Sequence, residues 1–304
     1  MIKFVLPGLY EHFGLNQSLI QLKQSSPEFF KPWDFGAIYG NFQFCIWDGG
    51  RIFTRYSQTS YEQIIFIRNF LLQNNIPLRM IFTNPIVEEI HYYDNFCNLI
   101  TRLCEHPNNE IVINNEGLEQ YLRTNYPQYS FISSTTKCLS RPEDSRNEFQ
   151  KDYKYICLDY NLNHNETFIK SLSEDLISKV EILVNAICPP GCPNRHDHYV
   201  ANGISVLNYN TPYGINCNIT KSNLHPSTFS FKNNLPPEEI YGHYSQDLNI
   251  SCFKLEGRTF NDLELALNYA RYLVKPEYQF EFISAIMGLT ENNNKDFNRL
   301  KQLT

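Results

Sequence analysis

Short runs of apolar, β-branched and aromatic residues alternate along the chain with longer amphipathic or polar segments. Eight of these runs have the composition and length of β-strands, and several end directly at Pro, Gly, Asn or Asp, which favour turns. They span residues 2–6, 36–39, 78–83, 110–113, 129–133, 155–158, 180–187 and 251–255.

The segments between these runs carry signals for helices. Ser60 and Gln63 form a capping-box pattern ahead of an apolar stripe, and Asn115 is a predicted N-cap for another stripe. A Thr-x-x-Asp pattern at 259–262 predicts the start of a further helix. The spacing of apolar residues also predicts helices at 16–30, 94–104 and 277–289.

Strands that alternate with helices are typical of parallel α/β folds. Eight strands in this arrangement favour a (β/α)8 TIM-type barrel, regular or distorted, and a doubly wound open sheet is the alternative. We expect a single barrel domain over residues 1–304. An irregular insertion that contains cysteine and histidine is expected at 188–250, between the seventh and eighth strands.

Composition and charge narrow the class of protein. The hydrophobic content of 42% and charged content of 19% fit a soluble globular protein. The net charge of −6 argues against a surface built for general phosphate neutralisation, although a local basic groove remains compatible with it. No apolar run is long enough to span a bilayer, and the N-terminal run is too short for a signal peptide. We therefore expect a cytoplasmic protein that does not bind membranes.

The chain has nine cysteines, an odd number in a sequence without an export signal. Metal binding or reactive thiols are therefore better explanations than a disulfide framework. Cys188, Cys192, Cys217 and Cys252 stand at a strand end, in the long insertion and at the start of the last strand, so they could converge at a barrel mouth. Sets of thiolates select zinc or an iron–sulfur cluster.

A second ligand set competes with the four cysteines. Cys188, Cys192, His196 and His198 lie close together in sequence, and two cysteines with two histidines form an acceptable structural zinc shell. The simpler interpretation is a tight turn with small apolar cysteines, followed by a solvated polar loop. The residues alone leave these alternatives open.

Polar residues also follow several predicted strands, where the residues of a barrel face the reaction. Asn84, Asn114, Ser134 and Asp159 occupy such positions, and Asp159 is the best candidate for substrate contact. Each is also an ordinary turn or cap residue. The motifs of serine hydrolases and P-loop proteins are absent from the sequence.

The run Phe-Lys-Leu-Glu-Gly-Arg at 253–258 resembles the Lys-Ile-Glu-Gly-Arg signature of the collagenase-like peptidase family U32. A glutamate at 181, ahead of the cysteines that follow the seventh strand, fits the same family, and the resemblance covers roughly residues 75–275. It implies a TIM-type barrel. Lys254, Glu256 and Arg258 carry the signature, and they either hold the site or lock the last strand to its helix.

Several relatives in that family are four-cysteine iron–sulfur proteins needed to hydroxylate RNA bases or ubiquinone precursors. The resemblance therefore implies a 4Fe–4S cluster on Cys188, Cys192, Cys217 and Cys252, and oxygen-independent modification of an RNA base or a quinone-like substrate. The alternatives are a collagenase-like peptidase and a non-catalytic barrel with structural zinc. The expected partners are a small-molecule or RNA substrate and a protein partner or second copy of the chain.

Overall fold

Eight parallel strands close into a barrel in the computed structural model, which describes residues 1–50, 58–209 and 234–300. The strands follow one another around the barrel in chain order, and the last strand pairs with the first. They are β1 (Ile2–Pro7), β2 (Trp33–Gly40), β3 (Leu78–Phe82), β4 (Glu110–Ile113), β5 (Ser130–Ser133), β6 (Tyr155–Cys157), β7 (Val180–Leu183) and β8 (Cys252–Lys254). The predicted (β/α)8 barrel is confirmed, and the open sheet is excluded.

Helices connect the strands on the outside of the barrel. They are α1 (Phe13–Ser25), α2 (Tyr61–Gln73), α3 (Glu89–Tyr92), α4 (Asn95–Leu103), α5 (Glu116–Asn125), α6 (Pro142–Phe149), α7 (Glu166–Lys170), α8 (Glu174–Ile177), α9 (Arg195–Leu207), α10 (Pro237–Glu239), α11 (Asp262–Leu273) and α12 (Gln279–Arg299). A π-helical segment, Ile240–Asp247, follows α10. None of the helices in the described ranges is both long and apolar enough to span a bilayer.

Alternate residues of each strand point into the barrel or out toward the helices. Phe4, Leu6 and Ile38 point outward and belong to the large apolar cluster beneath the helices. Residues of six strands form a smaller buried cluster in the interior: Val5, Ala37, Tyr39, Ile81, Val112, Ile132 and Cys252. The barrel is therefore filled by side chains, as expected for eight strands.

A buried ionic network accompanies this apolar cluster. Arg79 of β3 donates from Nε to Glu110 of β4 at 2.6 Å and from Nη1 to Glu181 of β7. All three side chains are buried. Burial lowers the pKa of Arg79, but attraction to the two carboxylates outweighs that effect and leaves the pKa raised. The guanidinium is therefore held charged inside the barrel, which only such pairing makes tolerable.

The last helix continues beyond its predicted end. The sequence predicts a helix at 277–289 and a polar tail from residue 292, whereas α12 runs to Arg299. Phe297 explains the difference, because its ring packs 5.2 Å from the ring of Phe13 and anchors the final turns to α1. Helix α11 likewise begins at a different cap, since the side chain of Asn261 accepts from the backbone of Glu264 at 2.9 Å.

The stretch at 188–250 is less irregular than the sequence predicts. It contains α9, whose Asn, Gly and β-branched residues have weak helix propensity. Burial of Tyr199 and Val206, together with the pairing of Arg195 with Asp159, stabilises this helix instead. The prediction of an irregular stretch is therefore wrong for α9 and for the π-helical segment, while residues 210–233 lie outside the described part of the chain.

Replacing the buried cation tests the importance of the ionic network. Arg79→Met leaves two buried carboxylates without their partner, so we expect the free energy of unfolding in urea at pH 7 to fall by about 3–5 kcal/mol. Arg141→Met is the control, because Arg141 is exposed and pairs with Asp144 at the surface, and its loss is expected to stay below about 1 kcal/mol.

The same pair of variants predicts a pH dependence. Burial raises the pKa of Glu181, but attraction to Arg79 and then Lys254 outweighs it and holds the pKa below the usual range. Its contribution is therefore present above the unfolded pKa and is lost as pH falls through the folded value. The difference in the free energy of unfolding between the unchanged chain and Arg79→Met should shrink as pH is lowered from 7 toward 5, because the uncompensated carboxylates take up protons. A deficit that is constant over this range would contradict the account.

Candidate functional site

A small cavity of about 70 Å³ opens at the ends of the strands where their carboxyl termini meet. This space is large enough for several water molecules or for a small polar group such as a carboxylate. Most polar side chains at its wall come from strand ends and from the loops that follow them, and they include Thr83, Ser134, Thr136, Tyr160, Lys254, Glu256 and Arg258. This is the end of the barrel where the catalytic residues of TIM barrels lie.

Lys254, the last residue of β8, brings an ammonium group to this cavity. Its Nζ lies 4.3 Å from the centre of the Tyr39 ring and 3.8 Å from Glu181 Oε1. Burial raises the pKa of Tyr39, and its hydroxyl donates to the carbonyl of Leu255 at 2.7 Å, so the ring is a neutral neighbour. The described residues offer Lys254 Nζ no hydrogen-bond acceptor within 3.5 Å.

The other two charged residues of the signature tie the loops of the mouth together. Arg258 donates from Nη1 to Asp48 Oδ1 at 3.1 Å and from Nη2 to the carbonyl of Gly49 at 2.9 Å. Glu256 Oε2 accepts from the backbone N–H of Ile187 at 3.0 Å. Arg258 and Glu256 therefore join the loops after β2, β7 and β8, and all three residues of the signature line the cavity.

Asp159 is buried beside the cavity and is already paired. Its Oδ2 accepts from Arg195 Nη1, and its Oδ1 accepts from the backbone N–H of Asn161 at 3.0 Å. The guanidinium of Arg195 lies 4.0 Å from the centre of the Tyr160 ring and donates from Nη2 to the carbonyl of Thr135 at 2.6 Å. Asp159 thus fixes the wall of the cavity through Arg195, and its predicted role in substrate contact stays a prediction.

Two hydroxyl groups at the cavity have no hydrogen-bond partner in the described structure. Thr83 Oγ1 and Tyr160 Oη are both buried, and both residues line the cavity. A buried hydroxyl without a partner costs about 1–3 kcal/mol. Oxygen atoms of a bound molecule are the kind of acceptor that these hydroxyls and the ammonium of Lys254 lack.

The cysteines of the predicted cluster lie in different surroundings. Cys252 Sγ lies inside the barrel, 3.5 Å from Glu181 Oε2, and burial raises its pKa well above the usual value. Cys188 is buried in a separate cluster with Cys157 and Tyr160. Cys192 is partly exposed, and Cys217 lies outside the described residues.

The residues that the structure describes contain no group of three or more His, Cys, Asp or Glu side chains that could hold a metal ion. His196 and His198 lie in the first turn of α9, and the His196 side chain is 67% exposed. The described part of the chain therefore lends no support to the 4Fe–4S cluster or to the zinc site. Both stay predictions that iron, sulfide and zinc assays on protein purified without oxygen would test.

The sequence does not predict the roles of three residues near the site, Arg79, Arg195 and Asp48. Arg79 interrupts an apolar strand, and a charge in a buried strand signals a paired partner elsewhere in the core. Arg195 falls in a segment predicted to be a polar loop, and Asp48 falls in a predicted turn. No local pattern marks these last two, because their partners are far away in sequence.

No protein-family model matches this chain, and no curated protein matches it. Among solved structures, the chain is similar to that of the U32 peptidase Mk0906. The two share 13% sequence identity with a TM-score of 0.49, and the match covers 84% of this chain and 93% of that chain.

Removing the Tyr160 hydroxyl tests whether it contributes to stability or is available to contact a ligand. Tyr160→Phe should leave the free energy of unfolding unchanged or raise it by up to about 1 kcal/mol, because a buried hydroxyl without a partner is deleted. Tyr244→Phe is the matched control, since Tyr244 is equally buried and donates to the carbonyl of Asn163 at 2.8 Å. The control should lose about 1 kcal/mol in urea unfolding. Equal losses would show that the Tyr160 hydroxyl is satisfied within the protein.

Proposed function

We propose that this chain is an enzyme whose active site is the mouth of the barrel. It acts on a carboxylate or carbonyl group of a small substrate, or of the exposed end of a larger one. The observation that carries this proposal is the position of Lys254, whose ammonium group faces the cavity and has no hydrogen-bond acceptor among the described residues.

The size and chemistry of the cavity support this class of ligand group. The cavity admits a carboxylate or a carbonyl group with its neighbouring atoms. Lys254 can donate to one oxygen of the group. The buried hydroxyls of Thr83 and Tyr160 can donate to the same oxygen or to a second one.

Lys254 would act by stabilising negative charge on the bound oxygen. An ammonium group that is fixed in a poorly hydrated site lowers the energy of a transition state in which such charge develops. The charge develops on a carbonyl oxygen both in attack on a peptide bond and in proton removal next to a carbonyl. Peptides, RNA bases and quinones all carry a carbonyl group, so this role is compatible with each substrate class that the sequence suggests.

Binding of small probes tests the proposal. Acetate, pyruvate and acetamide are added to the purified chain, and the melting temperature is measured. At about ten times its Kd a bound probe stabilises by roughly 1.4 kcal/mol, which corresponds to a rise of about 2–4 °C. We expect at least one probe to give a saturable rise, and Lys254→Met to remove it.

Lys23→Met is the matched control for this experiment. Lys23 also lies 4.3 Å from an aromatic ring, that of Trp33, and it donates to the carbonyl of Trp33 at the opposite end of β2. This variant should keep the response to the probes. A response that survives in Lys254→Met, or none with any probe in the unchanged chain, would refute the proposal.

Glycine peptides then distinguish the reaction classes. Hydrolysis of glycylglycine that disappears in Lys254→Met, with the fold retained by circular dichroism, would assign acyl transfer to the site. Probe binding without hydrolysis would assign other carbonyl chemistry.

A further inference from the structure

We propose that Glu181 is a positioning residue for Lys254, whose ammonium group it holds in place at the cavity from inside the barrel. This inference rests on the proposed function, since it explains how the ammonium group is kept in place. It assigns a role to a buried carboxylate that touches neither the cavity nor solvent.

The two oxygens of Glu181 face different partners. Oε2 accepts from Arg79 Nη1 and lies 3.5 Å from Cys252 Sγ. Oε1 is buried and lies 3.8 Å from Lys254 Nζ. One oxygen therefore fixes the carboxylate, and the other directs its charge toward the lysine.

The carboxylate is fixed from the opposite side of the barrel. Arg79 binds Glu110 as well as Glu181, and Glu110 Oε1 lies 2.7 Å from Nζ of Lys154 at the other end of the barrel. Each anion in this chain of charges lies between two cations. Glu181 is therefore ionised and fixed in position, whereas a carboxylate without these partners could rotate away from Lys254.

The remaining titratable groups around Lys254 do not replace Glu181. Tyr39 faces the ammonium as a neutral phenol, and burial raises the pKa of Cys157 to about 12, so its thiol is neutral as well. Above Lys254, Glu256 accepts from the backbone of Ile187, and Arg258 pairs with Asp48. Within 4.0 Å of Lys254 Nζ, Glu181 is the carboxylate that the described structure provides.

Chemical labelling of Lys254 tests this role without any ligand. Formaldehyde with cyanoborohydride methylates only the neutral amine, and formaldehyde is small enough for the cavity. Labelling of Lys254 is followed by mass spectrometry from pH 6 to 10, with the exposed Lys295 as an internal reference. Glu181→Gln keeps the shape of the side chain and removes the charge. We expect it to label Lys254 about tenfold faster at pH 7.5, because about 1.4 kcal/mol of the attraction that holds the ammonium group toward the barrel interior is lost.

Glu110→Gln is the matched control, because it also removes one carboxylate from Arg79 but does not face Lys254. Its labelling of Lys254 should stay within about twofold of the unchanged chain. If Glu181→Gln folds poorly, the double variant Arg79→Met with Glu181→Gln removes both charges of the pair and should show the same rise. Labelling that is unchanged without Glu181, or raised equally without Glu110, would overturn the assignment.

The outcome is separable from that of the proposed function. Labelling reports on the coupling of Glu181 to Lys254 whether or not a probe binds. If no probe changes the melting temperature, the binding site is refuted, and the labelling rates still decide whether Glu181 positions Lys254.

Discussion

Arg79 crosses the interior of the barrel from β3 to β7, two strands that lie opposite one another in the closed sheet. Its guanidinium is fully buried and needs both Glu110 and Glu181 to remain charged there. An ion pair with these geometric demands tolerates little change in the distance between the two walls. The interior is therefore held together by the ion pairs of Arg79 with Glu110 and Glu181 as well as by the apolar cluster.

The position of Glu181 in this ion-pair network determines which residue lies next to it toward the mouth of the barrel. Along β7 and β8 the register places Glu181 beside Cys252, and Leu183 beside Lys254. Lys254 thus lies one inward-facing position nearer the mouth than Cys252, and its Nζ is 3.8 Å from Oε1 of Glu181. The candidate site and the stabilising network are joined by a continuous series of charged contacts, from Arg79 through Glu181 to Lys254.

The architecture was predictable because each strand is a short β-branched or aromatic run with turn residues at its end, and because eight such runs alternate with helices. Boundaries were less predictable where distant contacts decide them. Phe297 prolongs the last helix by packing on Phe13, and Arg195 stabilises α9 by pairing with Asp159. Neither partner is near in sequence, so no local pattern reports the contact.

The site shows the same limit. The signature around Lys254 lies at the strand end that borders the cavity, but it does not distinguish Lys254, whose ammonium has no hydrogen-bond acceptor among the described residues, from Arg258, which joins two loops. The cysteines predict a metal site, because thiols in a chain without an export signal favour metal chemistry. The structure instead places Cys252 deep in the barrel beside Glu181. Spacing along the chain cannot reveal that depth, because inward and outward positions alternate at every residue.

Closure of the barrel by the pairing of β1 with β8 has a consequence for biosynthesis. The lysine that faces the cavity belongs to the last strand, whereas the carboxylate and the aromatic ring that surround it belong to β7 and β2. A nascent chain on the ribosome would expose the edges of β1 and β7 until β8 emerges and inserts between them. The candidate site is therefore incomplete during most of translation, and it is completed in the same step as the barrel itself.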